Sequence, residues 1–398
     1  MSWNTLNLIE CTEKITKGTT PTSIGGQFVS EGINFIKVES INEDGQYIPE
    51  KFAYIDERSN DLLKRSIIFE DDILISIAGA IGRTAYVNFK ILPANTNQAL
   101  AIVRPKKDIV YPKFLYYAFR TPSYQGQIKG SVVQAAQANV SLGVLNNTKI
   151  NLPNLATQRK IASILSAYDD LIENNLKRIK LLEEKAFLRY KGIVREVKEL
   201  KKLPLAHLAT VTSSKRIFLS DYVDEGIPFY RSKEIIAKSN FESIEKPLYI
   251  TEERYTDIKE KFGVPVSGDL LITSVGTIGF VHLVNNDDGD FYFKDGNLIW
   301  IKNLQQQNLA YFLFFKFRTP EFKEMLNSVA IGSSQKALTI ETVKKIEIEI
   351  PNDKSLIEFN KETKIIIKLI YNLQKQNTKL REARDILLPR LMSGEIEV

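Results

Sequence analysis

From Thr157 to about Leu200 the chain reads TQRKIASILSAYDDLIENNLKRIKLLEEKAFLRYKGIVREVKEL, and this stretch constrains the fold more than any other. Apolar side chains recur in steps of four and three: Ile161, Leu165, Tyr168 and Ile172, then Ile179, Leu182, Ala186 and Ile193. Such spacing keeps one stripe of a helix facing a partner helix. Two seam positions are polar, Asn175 and Arg189, and Thr157 offers a hydroxyl that suits an N-cap. At about 1.5 Å per residue the helix is roughly 60 Å long. A helix of that length cannot bury its own stripe.

A partner stripe lies 198 residues further on, the offset from Thr157 to Ser355. It comprises Phe359, Thr363, Ile366, Ile370, Leu373, Asn377, Leu380, Arg384, Leu387 and Leu391, and Ser355 with Glu358 has the spacing of a capping box. The two helices could pair parallel or antiparallel. An antiparallel register that sets Asn175 opposite Asn377 also brings the apolar ends of both seams together, and the buried amides then satisfy each other. A buried Asn pair is one way to fix register at some cost in stability. On the plainer reading each Asn tolerates a partly exposed position.

The repeat extends beyond the helices. GINFIKVESI (32–41) answers GIPFYRSKEI (226–235), and DDILISIAGAIG (71–82) answers GDLLITSVGTIG (268–279). FRTP occurs at 119–122 and 317–320, and INLPN (150–154) answers IEIPN (348–352). The chain is one unit written twice, each copy a globular part followed by a long helix. Short β-branched or aromatic runs such as ILISIA, ALAIVRP, LLITSV and LIWIKN predict strands, whereas YPKFLYYAFR and LAYFLFFKFR predict helices that stop before Thr-Pro. The expected class is α+β: two pseudo-symmetric mixed domains joined by two long helices in an antiparallel coiled coil. The boundaries expected are domain 1 at 1–154, the proximal helix at 155–202, domain 2 at 203–352 and the distal helix at 353–398. Each globular part would then sit at its own end of the helix pair, related to the other by a pseudo-twofold axis. Duplex DNA has matching symmetry, and two heads can face one side of it a helical turn apart, about 34 Å.

The chemistry of an enzyme is not legible. The two histidines, His207 and His282, lack metal-ligand neighbours in sequence. GAIG and GTIG follow strands without the third glycine and acidic residue of a dinucleotide site, and read as tight turns. NDDGD (286–290) invites comparison with a metal nuclease, but its asparagines and glycine suit a solvated hairpin turn. No apolar run approaches the length of a membrane span, and the N-terminal MSWNTLNLIECTEK lacks a signal-peptide core. One cysteine, Cys11, excludes an internal disulfide and fits a reducing compartment, so a cytoplasmic location is expected. A net charge of +6 favours a polyanionic partner.

LPNLATQRKIASILSAYDDLIENN (152–175) and LREARDILLPRLMSGEIEV (380–398), with the repeat, resemble the central and distal conserved regions of the specificity subunit of type I restriction–modification systems. The resemblance runs along essentially the whole chain. It implies a non-catalytic subunit whose two globular parts are target-recognition domains, each reading one half of a split, asymmetric site in double-stranded DNA. The helices would set the spacer. Two modification subunits, carrying S-adenosylmethionine, would dock against the helices and recognition domains. Two restriction subunits, using ATP and Mg, would complete the assembly, and no cofactor is expected in this chain. The proximal helix departs from the pattern, running on through REVKELKK without the LLPRLMSGEI form of its counterpart.

Polar residues at matching places are the candidate DNA contacts. In the first unit these are Lys14, Lys17, Thr19, Thr20, Lys37, Glu39, Arg83, Gln134, Gln137 and Asn139. In the second they are Ser213, Ser214, Lys215, Arg216, Arg231, Lys233, Ser333, Ser334, Gln335 and Lys336. Asn and Gln can bond adenine in bidentate fashion, and Arg or Lys can bond guanine. A solvated side chain or a phosphate contact is the alternative for each. Two other functions remain open on the sequence: a coiled-coil adaptor whose heads bind proteins without base readout, and a nuclease built on 286–290.

Overall fold

The computed structural model describes residues 3–134, 139–197, 200–242, 244, 246–306, 308–332 and 336–398, with side chains described at all of them except 132–134. The chain divides into two compact units, residues 1–171 with 380–398, and residues 172–379.

In the first unit four antiparallel strands lie in the spatial order Thr12–Lys17, Leu100–Pro105, Ile73–Ser76, Thr84–Tyr86. All four residues of ILIS are buried, which is why that strand reads as a continuous apolar run without alternation. A second sheet runs Phe28–Val29, Ala53–Ile55, Ile33–Ile36, Ala94–Thr96, Ile67–Ile68, with one parallel pairing, between Ile33–Ile36 and Ala94–Thr96. The strands Asn4–Asn7 and Lys149–Leu152 close the ends of the globular part against each other.

The second unit repeats this plan. Its four-stranded sheet runs Thr210–Thr212, Leu298–Lys302, Leu270–Thr273, Val281–Leu283. Its other sheet runs Tyr222–Val223, Leu248–Ile250, Ile227–Tyr230, Tyr292–Phe293, again with one parallel pair. Lys201–Pro204 pairs with Glu347–Ile350. The duplication read in the sequence is thus a duplication of topology. In both units a helix ends at the arginine of FRTP (Pro112–Arg120 and Leu309–Arg318), and the next helix starts at the proline, whose missing N–H costs nothing in a first turn.

The long helices span Leu155–Glu196 and Asp353–Ser393. Their caps are not the expected ones. Asn154 Oδ1 accepts from the Thr157 N–H at 2.9 Å, and Asn352 Oδ1 accepts from the Ser355 N–H at 3.0 Å. Each Asn follows the proline that closes the preceding strand, so its side chain reaches the first free amides three residues earlier than Thr157 and Ser355 would. Glu358 is not bent back in a capping box; it meets Arg189 at 3.2 Å.

Within each unit the helices pair antiparallel. In the first, Ile161, Ala162 and Leu165 share a core with Leu388, Leu391 and Met392, and Asp169 binds Arg384 at 2.7 Å. In the second, Asn175 donates through Nδ2 to Asn377 Oδ1 at 2.9 Å, both residues buried, and further along Arg189 meets Glu362 at 2.8 Å. Two seam assignments shift by one residue. Arg189 lies on the flank while Tyr190 fills the seam among Phe312, Phe315 and Phe359; likewise Leu388 is buried and Leu387 only partly so. A helix of 3.6 residues per turn drifts against a seven-residue repeat, and the seam steps to the next side chain.

Among the described residues no helix is long and apolar enough to cross a membrane.

Candidate nucleic-acid interface

The loops at one edge of each four-stranded sheet converge. In the first unit the segment after Lys17 crosses over the strand end at Thr96 so closely that a side chain at Gly18 would overlap the Thr96 carbonyl. Thr20 Oγ1 bonds Gln98 Oε1 at 2.7 Å. The Ile77 N–H bonds the Ala99 carbonyl at 2.9 Å, the Val140 N–H bonds the Ile77 carbonyl at 2.9 Å, and Ala78 bridges Asn139. These bonds bring Lys17, Thr19, Thr20 and Asn139 into one cluster with the turn Ile77–Gly82 and with Asn97 and Gln98. At the tip of that turn Gly79 adopts φ 73°, with open space where a Cβ would stand, so backbone is presented without a side chain in the way.

The second unit builds the same cluster from different side chains. Ser213 Oγ donates to the Leu298 carbonyl at 2.9 Å. The Ser274 N–H bonds the Asn297 carbonyl at 2.9 Å, and the Gly276 N–H bonds the Lys336 carbonyl at 3.1 Å. Gly276 has φ 73°, as Gly79 has. Ser213 therefore lies beside the segment 295–297, and Lys336 lies against the Gly276 turn that follows Ser274. Lys336 is exposed, its Nζ donating to the Asn327 carbonyl at 3.3 Å.

Other candidates are placed elsewhere or engaged. Lys14 lies mid-strand with its Nζ on the Arg65 carbonyl at 2.8 Å. Lys37 follows the second-sheet strand Ile33–Ile36, 4.0 Å from Glu39 and over the Phe28 ring. Arg83 uses Nη1 to clasp the Ile41 and Val38 carbonyls at 2.8 and 3.2 Å. Lys215 lies over Phe262, and Arg216, exposed, over Phe218. Ser214 is buried. Arg231 is bound to Glu234 at 2.9 Å; burial alone would raise that carboxyl, but the Arg231 bonds hold it below the usual range. Lys233 is exposed on the same helix. The side chain of Gln134, and the residues Gln137, Ser333, Ser334 and Gln335, lie outside what the structure describes.

Asn97, Gln98, Asp295 and Asn297 were not singled out from the sequence. NTNQAL and KDGNL look like ordinary turns, and the only signal was their equivalence under the 198-residue offset, Leu100 with Leu298. In the acidic segment 286–290 one residue departs from a solvated turn. Asp287 is exposed, but the Asp288 side chain is only 3% exposed, held by Lys238 Nζ at 2.5 Å, His282 Nε2 at 2.9 Å and the Asn285 N–H at 2.8 Å. Burial would raise its carboxyl, yet His282 and Lys238 keep it below the carboxylate range. The turn itself is solvated as expected, with residues 286, 287, 289 and 290 exposed, and Asp288 alone turns inward as a clasp within the domain. Among the described residues no three His, Cys, Asp or Glu side chains are grouped to hold a metal ion.

Comparison with known proteins agrees with this architecture. The MjaIX type I restriction enzyme specificity subunit of Methanocaldococcus jannaschii is 24% identical over 97% of this chain and 91% of its own length. The EcoBI specificity subunit of Escherichia coli is 32% identical over a shorter stretch, 38% of this chain and 32% of its own. The S subunit of a type I system from M. genitalium shares the fold, with a TM-score of 0.58 at 15% identity, covering 98% of this chain and 96% of that one. The sequence profile described as "Type I restriction modification DNA specificity domain" matches twice, at residues 2–184 and 198–386, one match to each copy of the repeat. A doubled sheet-and-loop frame, each copy followed by a long helix and matched by that profile, makes this chain a member of the type I restriction modification DNA specificity domain family.

Proposed function

We propose that this chain is the DNA sequence-specificity subunit of a type I restriction–modification complex. Residues 1–154 and 203–352 form two target-recognition domains, each reading one half of a split, asymmetric site in double-stranded DNA. The helices of 155–202 and 353–398 set the spacer between the halves, with Asn175 and Asn377 fixing their register, and dock two modification subunits; two restriction subunits complete the assembly. Catalysis, with its S-adenosylmethionine, ATP and Mg, belongs to those partners.

The observation that carries this reading is one frame holding two different sets of polar side chains. Lys17, Thr19, Thr20, Asn97, Gln98 and Asn139 stand in the first cluster where Ser213, Asp295, Asn297 and Lys336 stand in the second. A frame conserved in topology positions the reader, and side chains that differ read different bases. Two unlike readers on one chain suit an asymmetric site.

The test is methylation mapping. The chain is expressed with its cognate modification subunit in cells lacking other adenine methylation, and the genome is sequenced by a method that detects methyladenine. One split motif methylated on both strands is expected. A stable complex that adds no motif would favour the adaptor alternative. Inserting four residues into both helices at matched positions should change the spacer and leave both half-sites intact; altered half-site bases with an unchanged spacer would refute the division of labour.

A further inference from the structure

Among the described residues the arginine of FRTP has a carboxylate partner in one unit and none in the other. In the second unit Arg318 binds Glu183 of the proximal helix and the Ser239 carbonyl, between the rings of Phe241 and Phe314. Its counterpart in the first unit, Arg120, bonds among the described residues only a neutral phenol, Tyr116 Oη at 2.6 Å. The helix position equivalent to Glu183 is Arg381, which turns to Asp44 at 3.2 Å. Asp169, within electrostatic range of Arg120, has both oxygens engaged, one by Arg384 at 2.7 Å and one by Tyr117 Oη at 2.6 Å.

Arg120 lines a cleft of about 480 Å³ that also presents Arg83, Lys129 and Glu43, with Leu388 among the apolar groups of its wall. Asp385 borders the cleft but is paired with Arg384 at 2.8 Å. Among the described residues no carboxylate lies within ion-pair distance of Arg83, Arg120 or Lys129. The second unit fills the corresponding place with its own groups: Phe280 stands where Arg83 does and carries Lys323 over its ring, while Phe187 and Tyr190 stand where Asp385 and Leu388 do.

We propose that the first-unit cleft is a socket for an acidic side chain of a modification subunit, supplying to Arg120 in trans the carboxylate that Glu183 supplies to Arg318 in cis. A half-buried guanidinium with one neutral partner keeps fork donors free toward the cleft, and a planar bidentate carboxylate is the group that its fork fits. A protein side chain reaches into a recess of this size. A duplex phosphate does not, because it rides on a stiff cylinder and would bring its neighbours against Glu43. In the second unit Glu183 already serves Arg318 and Phe280 replaces Arg83, so the two modification subunits are held unequally. The inference rests on the specificity-subunit reading.

The experiment uses the full chain purified with its cognate modification subunit. Benzoylphenylalanine placed at Lys129 is photolysed, and assembly of Arg120→Gln and Lys129→Glu variants is followed by native mass spectrometry and sedimentation. Cross-linking to a segment of the modification subunit that contains Asp or Glu is expected. Loss of one charged partner from a desolvated pair costs about 2 kcal/mol or more, so affinity for one of two modification subunits should fall about 30-fold or more. Should Arg120→Gln fail to fold, the exposed Lys129→Glu decides. Cross-links to DNA alone, or assembly unchanged in both variants, would overturn the socket. Methylation mapping separates the two claims: an intact motif with unchanged assembly refutes the socket only, whereas no motif in the parent complex refutes the underlying reading.

Discussion

The Asn175–Asn377 pair allows a quantitative test, because the two amides are not equivalent. Asn175 Nδ2 donates to Asn377 Oδ1 at 2.9 Å, while Asn377 Nδ2 is buried with no hydrogen-bond partner among the described residues. Asn175→Ala newly strands Asn377 Oδ1 and leaves the already unpaired Nδ2 in place, whereas Asn377→Ala strands one donor, Asn175 Nδ2, and removes an atom that was already unpaired. An orphaned buried polar atom costs about 1–3 kcal/mol. We therefore expect Asn175→Ala, which adds one orphan, to destabilise the second unit by about 1–3 kcal/mol, and Asn377→Ala, which exchanges one orphan for another, by about 1 kcal/mol or less. The double alanine variant should cost less than the sum of the singles, by about 1 kcal/mol. Replacing both by leucine removes every orphan and adds apolar burial, and is expected to be neutral or stabilising by about 1–2 kcal/mol. Urea unfolding of the four variants, followed by helical circular dichroism, measures the cycle. Single effects that add to within about 0.3 kcal/mol would refute the coupling, and equal single effects would refute the asymmetry. If the amides also fix register, the double leucine complex should methylate sites of more than one spacer length.

Three further outcomes are expected. Arg384, 4% exposed, gathers Asp169, Asp385 and Asp44, so Arg384→Met should destabilise the first unit by about 3 kcal/mol, the low end for a broken buried pair because the acids keep some solvent; a loss below about 1 kcal/mol in chemical denaturation would contradict this. His282 is buried and its pKa is depressed, chiefly by desolvation, so below about pH 6.5 the unfolded chain binds a proton that the folded chain does not; stability should fall on acidification from that point, and His282→Gln should flatten the slope of the unfolding midpoint against pH. Asn154→Ala and Asn352→Ala should each cost about 1 kcal/mol by loss of the helix cap, with Thr157→Ala nearly silent, a ranking that thermal melts can read.

Sequence alone determined what is periodic or repeated. The seam from Ile161 to Ile193 and its copy from Phe359 to Leu391 required two long helices, and the matched segments required two copies of one mixed domain, because burial of an apolar stripe and the strand alphabet are local in their rules. Cap identity was legible in residue type but not in position: Asn154 and Asn352 lay three residues before the expected caps, where only the end of the preceding strand shows which side chain reaches the free amides. Tertiary structure decided everything that depends on which loops meet. Asn97, Gln98, Asp295 and Asn297 look like turn residues until the sheet order brings them beside Thr20 and Ser213, and Lys14 and Arg231 look free until Arg65 and Glu234 are found on them. Asp288 is ordinary turn chemistry in sequence and a buried clasp in space. The two FRTP arginines are identical as letters, and only their surroundings separate them: Glu183 reaches Arg318, while Arg381, in the equivalent place, cannot serve Arg120. A hydrogen bond or an ion pair needs a partner within about 3–4 Å, and that distance is set by the packing of segments far apart in the chain.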